Sequence, residues 1–328
     1  MIGTPPATTP RRQATTLLCW LAVAPAALWA VARLAGLERG PLVQAMAFTP
    51  YVAGGSLAPL VLALALRRRW PAVAAAVVAV TLIGTVAPRA VGSGQPDTAG
   101  PVLRLLTANL LKGEADSRTL VDLVRRHRVD VLAVQEFTPW SRTELDRLGL
   151  TALLPHQALN PEVGTTGSGI YARFPLSDDG FRRNPGFQFT QAYATLTAPG
   201  APPLRVESAH PAAPYAVEVV DDWFTDLRAQ PRATPDGPLS VLAGDFNATL
   251  DHAPLRALLD SGYVDAADAA GAGLHGTWGP YDGDPIPPVT IDHVLVDRRI
   301  AVRAVAVHPV PGSDHRAVLA ELRLPAAG

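Results

Sequence analysis

Eight polar residues in the last two thirds of the chain could do chemistry together: Asn109, Glu136, His210, Asp245, Asn247, Asp292, Asp314 and His315. Each lies at or beside the end of an apolar, strand-like run: "LLTAN", "VLAVQE", "RVESAH", "SVLAGDFN", "TIDHVLV" and "GSDHRAV". Taken singly, each has an ordinary explanation. Asn109 could cap a turn, Glu136 could be a solvated strand end, and Asp245 could open an Asx turn. A rim that gathers all eight would hold four carboxylates, two amides and two imidazoles. Those types suit hydrolysis of a phosphate ester. A hard divalent cation takes oxygen ligands. An attacking water needs a carboxylate or imidazole base. Charge developing on the phosphoryl oxygens needs donors or a metal.

The surrounding pattern supplies strands to carry such a rim. Residues 102–109, 129–136, 203–210, 238–247, 289–296, 300–309 and 315–324 read as strands, and "GSGIYARFPL" and "QAYATLT" as strands of a meander. "SRTLVDLVRRHR" (117–128) reads as an amphipathic helix with Ser117 as N-cap, and 215–230 and 253–262 as further helices. Strands outnumber helices, which predicts an α/β fold: two packed sheets with helices outside, a four-layer α/β/β/α sandwich. His293 falls on the opposite strand face from Asp292 and reads as structural. The histidines at 127, 156, 252, 275 and 308 belong to no motif.

In this order, "TANL", "VQE", "SGIYARFPL", "SAHPAAP", "LAGDFNA", "IDHVLV" and "GSDHRAV" resemble the endonuclease/exonuclease/phosphatase (DNase I-like) superfamily. The resemblance spans residues 103–320 and implies a Mg²⁺-dependent (or Mn²⁺-dependent) phosphoric ester hydrolase. It implies that Glu136 binds the metal, assisted by Asn109 and Asp314. Asp245 would orient or deprotonate the attacking water, while Asn247 and His210 hydrogen-bond the scissile phosphate. His315 would contact the phosphate, held by Asp292. Some members carry an acid two residues after the first Asn. Here that position is Leu111, so a one-metal site is expected. His210 is followed by "PAAP" where Leu is more usual.

The first hundred residues differ in kind. They carry eight Arg against two acids, a net of +6, whereas the remaining 228 carry 20 basic and 27 acidic side chains, a net of −7. Three apolar stretches, about 15–36, 42–66 and 71–91, each reach the length of roughly 20 residues that a bilayer requires. Pro50, Gly54, Gly55 and Pro59 weaken the middle one. The expected organisation is a three-helix membrane anchor over 1–91, a flexible linker over 92–101 and a catalytic domain over 102–325. Arg11, Arg12 and Arg67–Arg69 on one side predict a cytoplasmic N-terminus and a catalytic domain outside the cell. Cys19 is the only cysteine, which excludes an internal disulfide and a Cys-based metal site.

Charge bears on the substrate. A nuclease should offer a basic surface, and this domain is acidic with one lysine, Lys112. Together with the apolar stretches, this favours the lipid bilayer and a lipid-linked phosphate as partners over nucleic acid. No protein partner is indicated. Three spans followed by such a domain also look like VanJ-type teicoplanin-resistance proteins of actinobacteria, which implies a cell-envelope role. The other readings are a surface nuclease acting on DNA or RNA, and a non-catalytic membrane-anchored binding protein.

Overall fold

The computed structural model describes residues 10–279 and 285–327. The chain forms two compact units: residues up to Glu38 with Phe48–Ala87, and Arg39–Ala47 with Pro88 onward.

The first unit is helical: α1 (Pro10–Ala35), α3 (Thr49–Gly55), α4 (Leu57–Ala65) and α5 (Arg69–Val86), with α2 (Pro41–Met46) lying in the second unit. Small residues such as Ala53, Ala63, Ala75 and Ala79 are buried, while Leu21, Leu28, Val61, Val77 and Val80 are exposed. Two helical stretches, Pro10–Ala35 and Arg69–Ala90, are long and apolar enough to cross a membrane. This corrects the expectation of three spans. The middle stretch breaks into α2, α3 and α4, and Thr49–Ala65 falls short of the same criterion. Pro50 and Pro59 fit only near a helix start, where no backbone N–H is needed, and each lies in the first turn of its short helix. Gly54 precedes the break at Ser56.

The second unit is an α/β sandwich of two six-stranded sheets. Its strands are β1 (Val102–Asn109), β2 (Val131–Gln135), β3 (His156–Asn160), β4 (Ser168–Ala172), β5 (Leu176–Arg183), β6 (Thr190–Leu196), β7 (Leu204–Ala209), β8 (Leu239–Asp245), β9 (Tyr263–Asp265), β10 (Asp292–Asp297), β11 (Ala301–Pro309) and β12 (Arg316–Arg323). The orders are β11-β12-β1-β2-β4-β3 and β5-β6-β7-β8-β10-β9. Strand alternation divides the side chains. Leu105, Val131, Val206, Val241 and Val294 fill the space between the sheets. Leu106, Leu132 and Tyr171 face outward beneath α6 (Ser117–His127), α7 (Pro139–Arg147) and α8 (Leu150–Leu153). Leu242 and Leu295 face outward beneath α9 (Val220–Arg228) and α10 (Ala253–Leu259), and α11 (Ala266–Ala269) packs against β9, β10 and β11. With both faces covered, the central strands are apolar almost throughout.

Local details depart from the reading of the sequence. Asp116, not Ser117, caps α6, accepting from Thr119 N at 3.0 Å. The helix expected over 215–230 is regular only over Val220–Arg228. Residues 92–101 are pinned rather than slack. Ser93 N donates to Ala269 O, Gln95 Oε1 accepts from Val302 N, and Gly100 N donates to Leu324 O.

Candidate active site

Strand register assembles two rows of polar residues. Asn109 pairs with Gln135 across β1 and β2, which brings it beside Glu136. In the other sheet Asp292 pairs with Asp245 across β10 and β8, and Ala209 pairs with Gly244 across β7 and β8, so His210 and Asp245 follow side by side. Gly244 is required by this closeness: a Cβ there would stand 2.0 Å from the Ala209 carbonyl. Asp314 and His315 precede β12, where His315 forms a backbone bridge to Trp278.

The two rows meet. Asn109 Nδ2 donates to Glu136 Oε1 at 3.2 Å and to Asp245 Oδ2 at 3.1 Å, linking one sheet to the other. His315 Nδ1 lies 2.9 and 3.1 Å from the two Asp292 oxygens, and its Nε2 lies 3.6 Å from Asp245 Oδ2. His210 Nε2 lies 3.8 Å from the same oxygen. Asn247 N donates to Asp245 Oδ1 at 2.8 Å. All eight residues named from the sequence therefore fall in one neighbourhood. Asn109 alone takes a different posture: it presents N–H to both carboxylates, and its Oδ1 accepts from Leu111 N at 3.0 Å. In that orientation it bridges the two carboxylates as a donor.

Four non-glycine residues here have left-handed backbone: Leu111 (φ 44°), Lys112 (φ 55°), Glu136 (φ 52°) and Asn247 (φ 49°). Such conformations cost about 1–3 kcal/mol and persist where the surroundings over-determine them. At Glu136 the kink turns the carboxylate toward Lys112 N, which donates at 2.7 Å.

Burial governs the charges. It pushes Glu136 up, against the hydrogen bonds from Asn109 and Lys112. It also pushes Asp245 up, with His315 opposing. Burial works against charge on His315, but the carboxylates of Asp292 and Asp245 outweigh it and raise the pKa to about 10. His210 lies 3.8 Å from the Asp245 carboxylate, and burial dominates there. Burial, then the charge of His315, takes it down to about 3, so it is neutral. One imidazolium thus stands among four carboxylates, an arrangement short of positive charge.

Two groupings could take a cation. Asp245, Asp292 and His315 each offer an atom within 4.8 Å of the others. Their lone pairs, however, are largely spent on one another and on Asn109 and Asn247. Glu136 accepts one hydrogen bond on each oxygen, as Asp245 does, and Asp314 is the less committed carboxylate. Asp314 Oδ2 accepts from Trp278 Nε1 at 2.9 Å, while its Oδ1 is enclosed with no hydrogen-bond partner among the described residues. An enclosed carboxylate oxygen without a donor is the feature that a cation would satisfy.

Several supporting residues carry no signal in the sequence. Thr277 Oγ1 accepts from the backbone of Ile291 and Asp292, at 3.0 and 2.9 Å. Ser313 Oγ donates to the Asn109 carbonyl and accepts from His315 N. Gln191 Oε1 accepts from His210 N and from Asn184, whose amide also donates to the His210 carbonyl. Phe189 stacks on the His210 ring at 4.4 Å. These are common residue types whose partners lie far away in sequence. His293 is structural, as expected: Nδ1 meets Asp265 at 2.7 Å and Nε2 meets the Ala248 carbonyl at 2.9 Å.

The model of the Endonuclease/Exonuclease/phosphatase family matches residues 106–315, a stretch that holds all eight rim residues. Solved structures share the fold. An endonuclease/exonuclease/phosphatase from Beutenbergia cavernae DSM 12333 is 19% identical, with a TM-score of 0.54 over 68% of this chain and 72% of that one. D. rerio TDP2 humanized by 14 mutations is 16% identical, with a TM-score of 0.57 over 68% of this chain and 99% of that one. D. rerio TDP2 complexed with single strand DNA product gives 16% identity and a TM-score of 0.54, over the same shares of the two chains. At these identities the likeness is one of fold. No curated protein matches the chain, and none of these matches bears on the glycopeptide-resistance branch.

Proposed function

The chain belongs to the endonuclease/exonuclease/phosphatase family, and from that premise we propose that it hydrolyses a phosphodiester or pyrophosphate bond with one divalent cation, Mg²⁺ or Mn²⁺. The observation that carries this reading is the Asn109 amide shared between Glu136 and Asp245, which ties an oxygen-rich row to a proton-handling row. Glu136 and Asp314 would hold the cation. Bound there, it would supply Lewis-acid polarisation of a phosphoryl oxygen. Asp245 orients the attacking water and takes its proton, a role that burial favours by raising its basicity. His315, kept charged by Asp292, donates to the phosphate and stabilises its growing charge. Asn247 and neutral His210 add donors on the other flank.

The substrate divides two readings. D. rerio TDP2, complexed with single strand DNA product, favours a nucleic-acid phosphodiester for this chain. The lipid-linked phosphate is supported by the two apolar helices, which on this reading anchor the protein in a bilayer with the catalytic unit outside the cell. A role in glycopeptide resistance rests on that second reading.

The test uses the full-length protein in detergent with Mg²⁺, offered single-stranded DNA, sphingomyelin, a polyprenyl pyrophosphate and bis-p-nitrophenyl phosphate. Hydrolysis of at least one, lost in Asp245→Ala, is expected. Cleavage of DNA alone would select the nuclease reading, and cleavage of the lipid substrates alone the envelope reading. No turnover on any of the four would leave a binding protein as the better description.

A further inference from the structure

Asn247 is held at both its polar ends. Its carbonyl accepts from Trp223 Nε1 at 2.9 Å, and its Nδ2 donates to the Pro211 carbonyl at 3.1 Å. Both supports lean on a piece of chain from between the apolar helices. Residues Arg39–Ala47 group with the catalytic unit, although helices of the other unit flank them in sequence. Val43 is fully buried in the core that covers the second sheet, with Trp223, Leu242 and Phe246. Its carbonyl lies 2.8 Å from His252 Nε2. His252 Nδ1 accepts from the Thr249 amide at 2.8 Å, so the proton sits on Nε2 and the bond to Val43 runs from histidine to carbonyl. The His252 ring then packs edge-on against Trp223, with centroids 5.1 Å apart.

The other support is reached by the next residue. Gln44 Nε2 donates to the Pro214 carbonyl at 2.8 Å, in the loop that joins His210 and Pro211 to α9. Arg39 lies over the Phe224 ring at 5.0 Å, beside Trp223 in α9. A second clasp comes from the chain entering the unit at Pro88. Arg89 grips Asp251 through two hydrogen bonds of 2.8 and 2.6 Å, with both residues buried, one position before His252. Asn247 is in the left-handed region, which asparagine adopts more readily than other non-glycine residues.

We propose that Arg39–Ala47 is a brace for the active-site rim, positioning Asn247 through His252 and Trp223 on one side and through the Pro211–Pro214 loop on the other. Val43 and Gln44 are positioning residues, and the catalytic consequence rests on the phosphoesterase reading above. The sequence between the apolar helices is thereby built into the site.

The test is made on the full-length protein by hydrogen exchange and by kinetics with bis-p-nitrophenyl phosphate. Gln44→Met keeps the size and removes the donor, and Gln44→Lys restores a donor. In Gln44→Met, amides of 210–215 and 247–252 should exchange about tenfold faster while those of β1 and β2 stay unchanged. Its kcat should fall about tenfold with KM within about twofold, and Gln44→Lys should recover most of the loss. Val43→Ala should give the same pattern weighted to 247–252. Unchanged exchange in both segments, or acceleration spread evenly over the unit, would overturn the brace. If the wild-type protein hydrolyses no substrate, the phosphoesterase reading fails, and the exchange pattern decides the brace alone.

Discussion

At the centre of one sheet, β1 and β2 run parallel between antiparallel β12 and β4; at the centre of the other, β7 and β8 run parallel between antiparallel β6 and β10. The backbone plan is the same, yet the rims differ. The first carries Asn109, Glu136 and Asp314, and Asp314 Oδ1 is short of a donor among the described residues. The second carries His210, Asp245, Asn247 and Asp292, whose two carboxylates are occupied by hydrogen bonds or by His315. Hydrogen-bond saturation therefore sets Asp314 apart from Glu136, Asp245 and Asp292. An under-satisfied oxygen is fit to meet a cation. A satisfied one beside an imidazolium is fit to manage protons and phosphate charge.

The contrast can be broken experimentally. The largest effect is expected on the proton-handling side. Asp245→Ala should lower turnover about a thousandfold while metal affinity stays nearly unchanged, as measured by steady-state kinetics and by metal titration. An equal loss of metal binding would erase the distinction between the rims. Next, Glu136→Gln should weaken Mg²⁺ or Mn²⁺ binding about a hundredfold, with part of the turnover regained at high metal concentration. A variant that binds metal normally but stays inactive would move Glu136 to the other group. Smaller still, Gln191→Ala should cost about tenfold in turnover through a misplaced His210, with metal affinity intact. Wild-type turnover in that variant would leave the polar cluster behind His210 with a purely structural role.

The rim was legible in the sequence because its residues interrupt apolar strands at their ends, where neither core packing nor strand propensity calls for Asp, Asn or His. Register then did the gathering, and register follows from the alternation of buried side chains. What supports the rim was not legible. Trp278 and Asp314 are 36 positions apart, and Gln191 looks like any polar residue of a half-exposed strand. The posture of Asn109 depends on which carboxylates the fold brings near, which its own motif does not encode. The helical part misled for another reason. Hydropathy counts apolar residues over a window, but Pro50 and Pro59 decide where a helix can continue, and the 42–66 stretch breaks accordingly. Residues 92–101 look slack by composition but are pinned by hydrogen bonds to Ala269, Val302 and Leu324, far later in the chain.

The claim on which the rest depends is that the cation sits with Glu136 and Asp314 and not within the cluster of Asp245, Asp292 and His315. A Mn²⁺ binding titration on the full-length protein, Glu136→Gln and Asp292→Asn tests it most directly, because it needs no substrate. Loss of about a hundredfold in affinity for Glu136→Gln, with Asp292→Asn within about threefold of the wild-type protein, is the predicted result. The reverse order, with Asp292→Asn losing the ion and Glu136→Gln keeping it, would contradict the account.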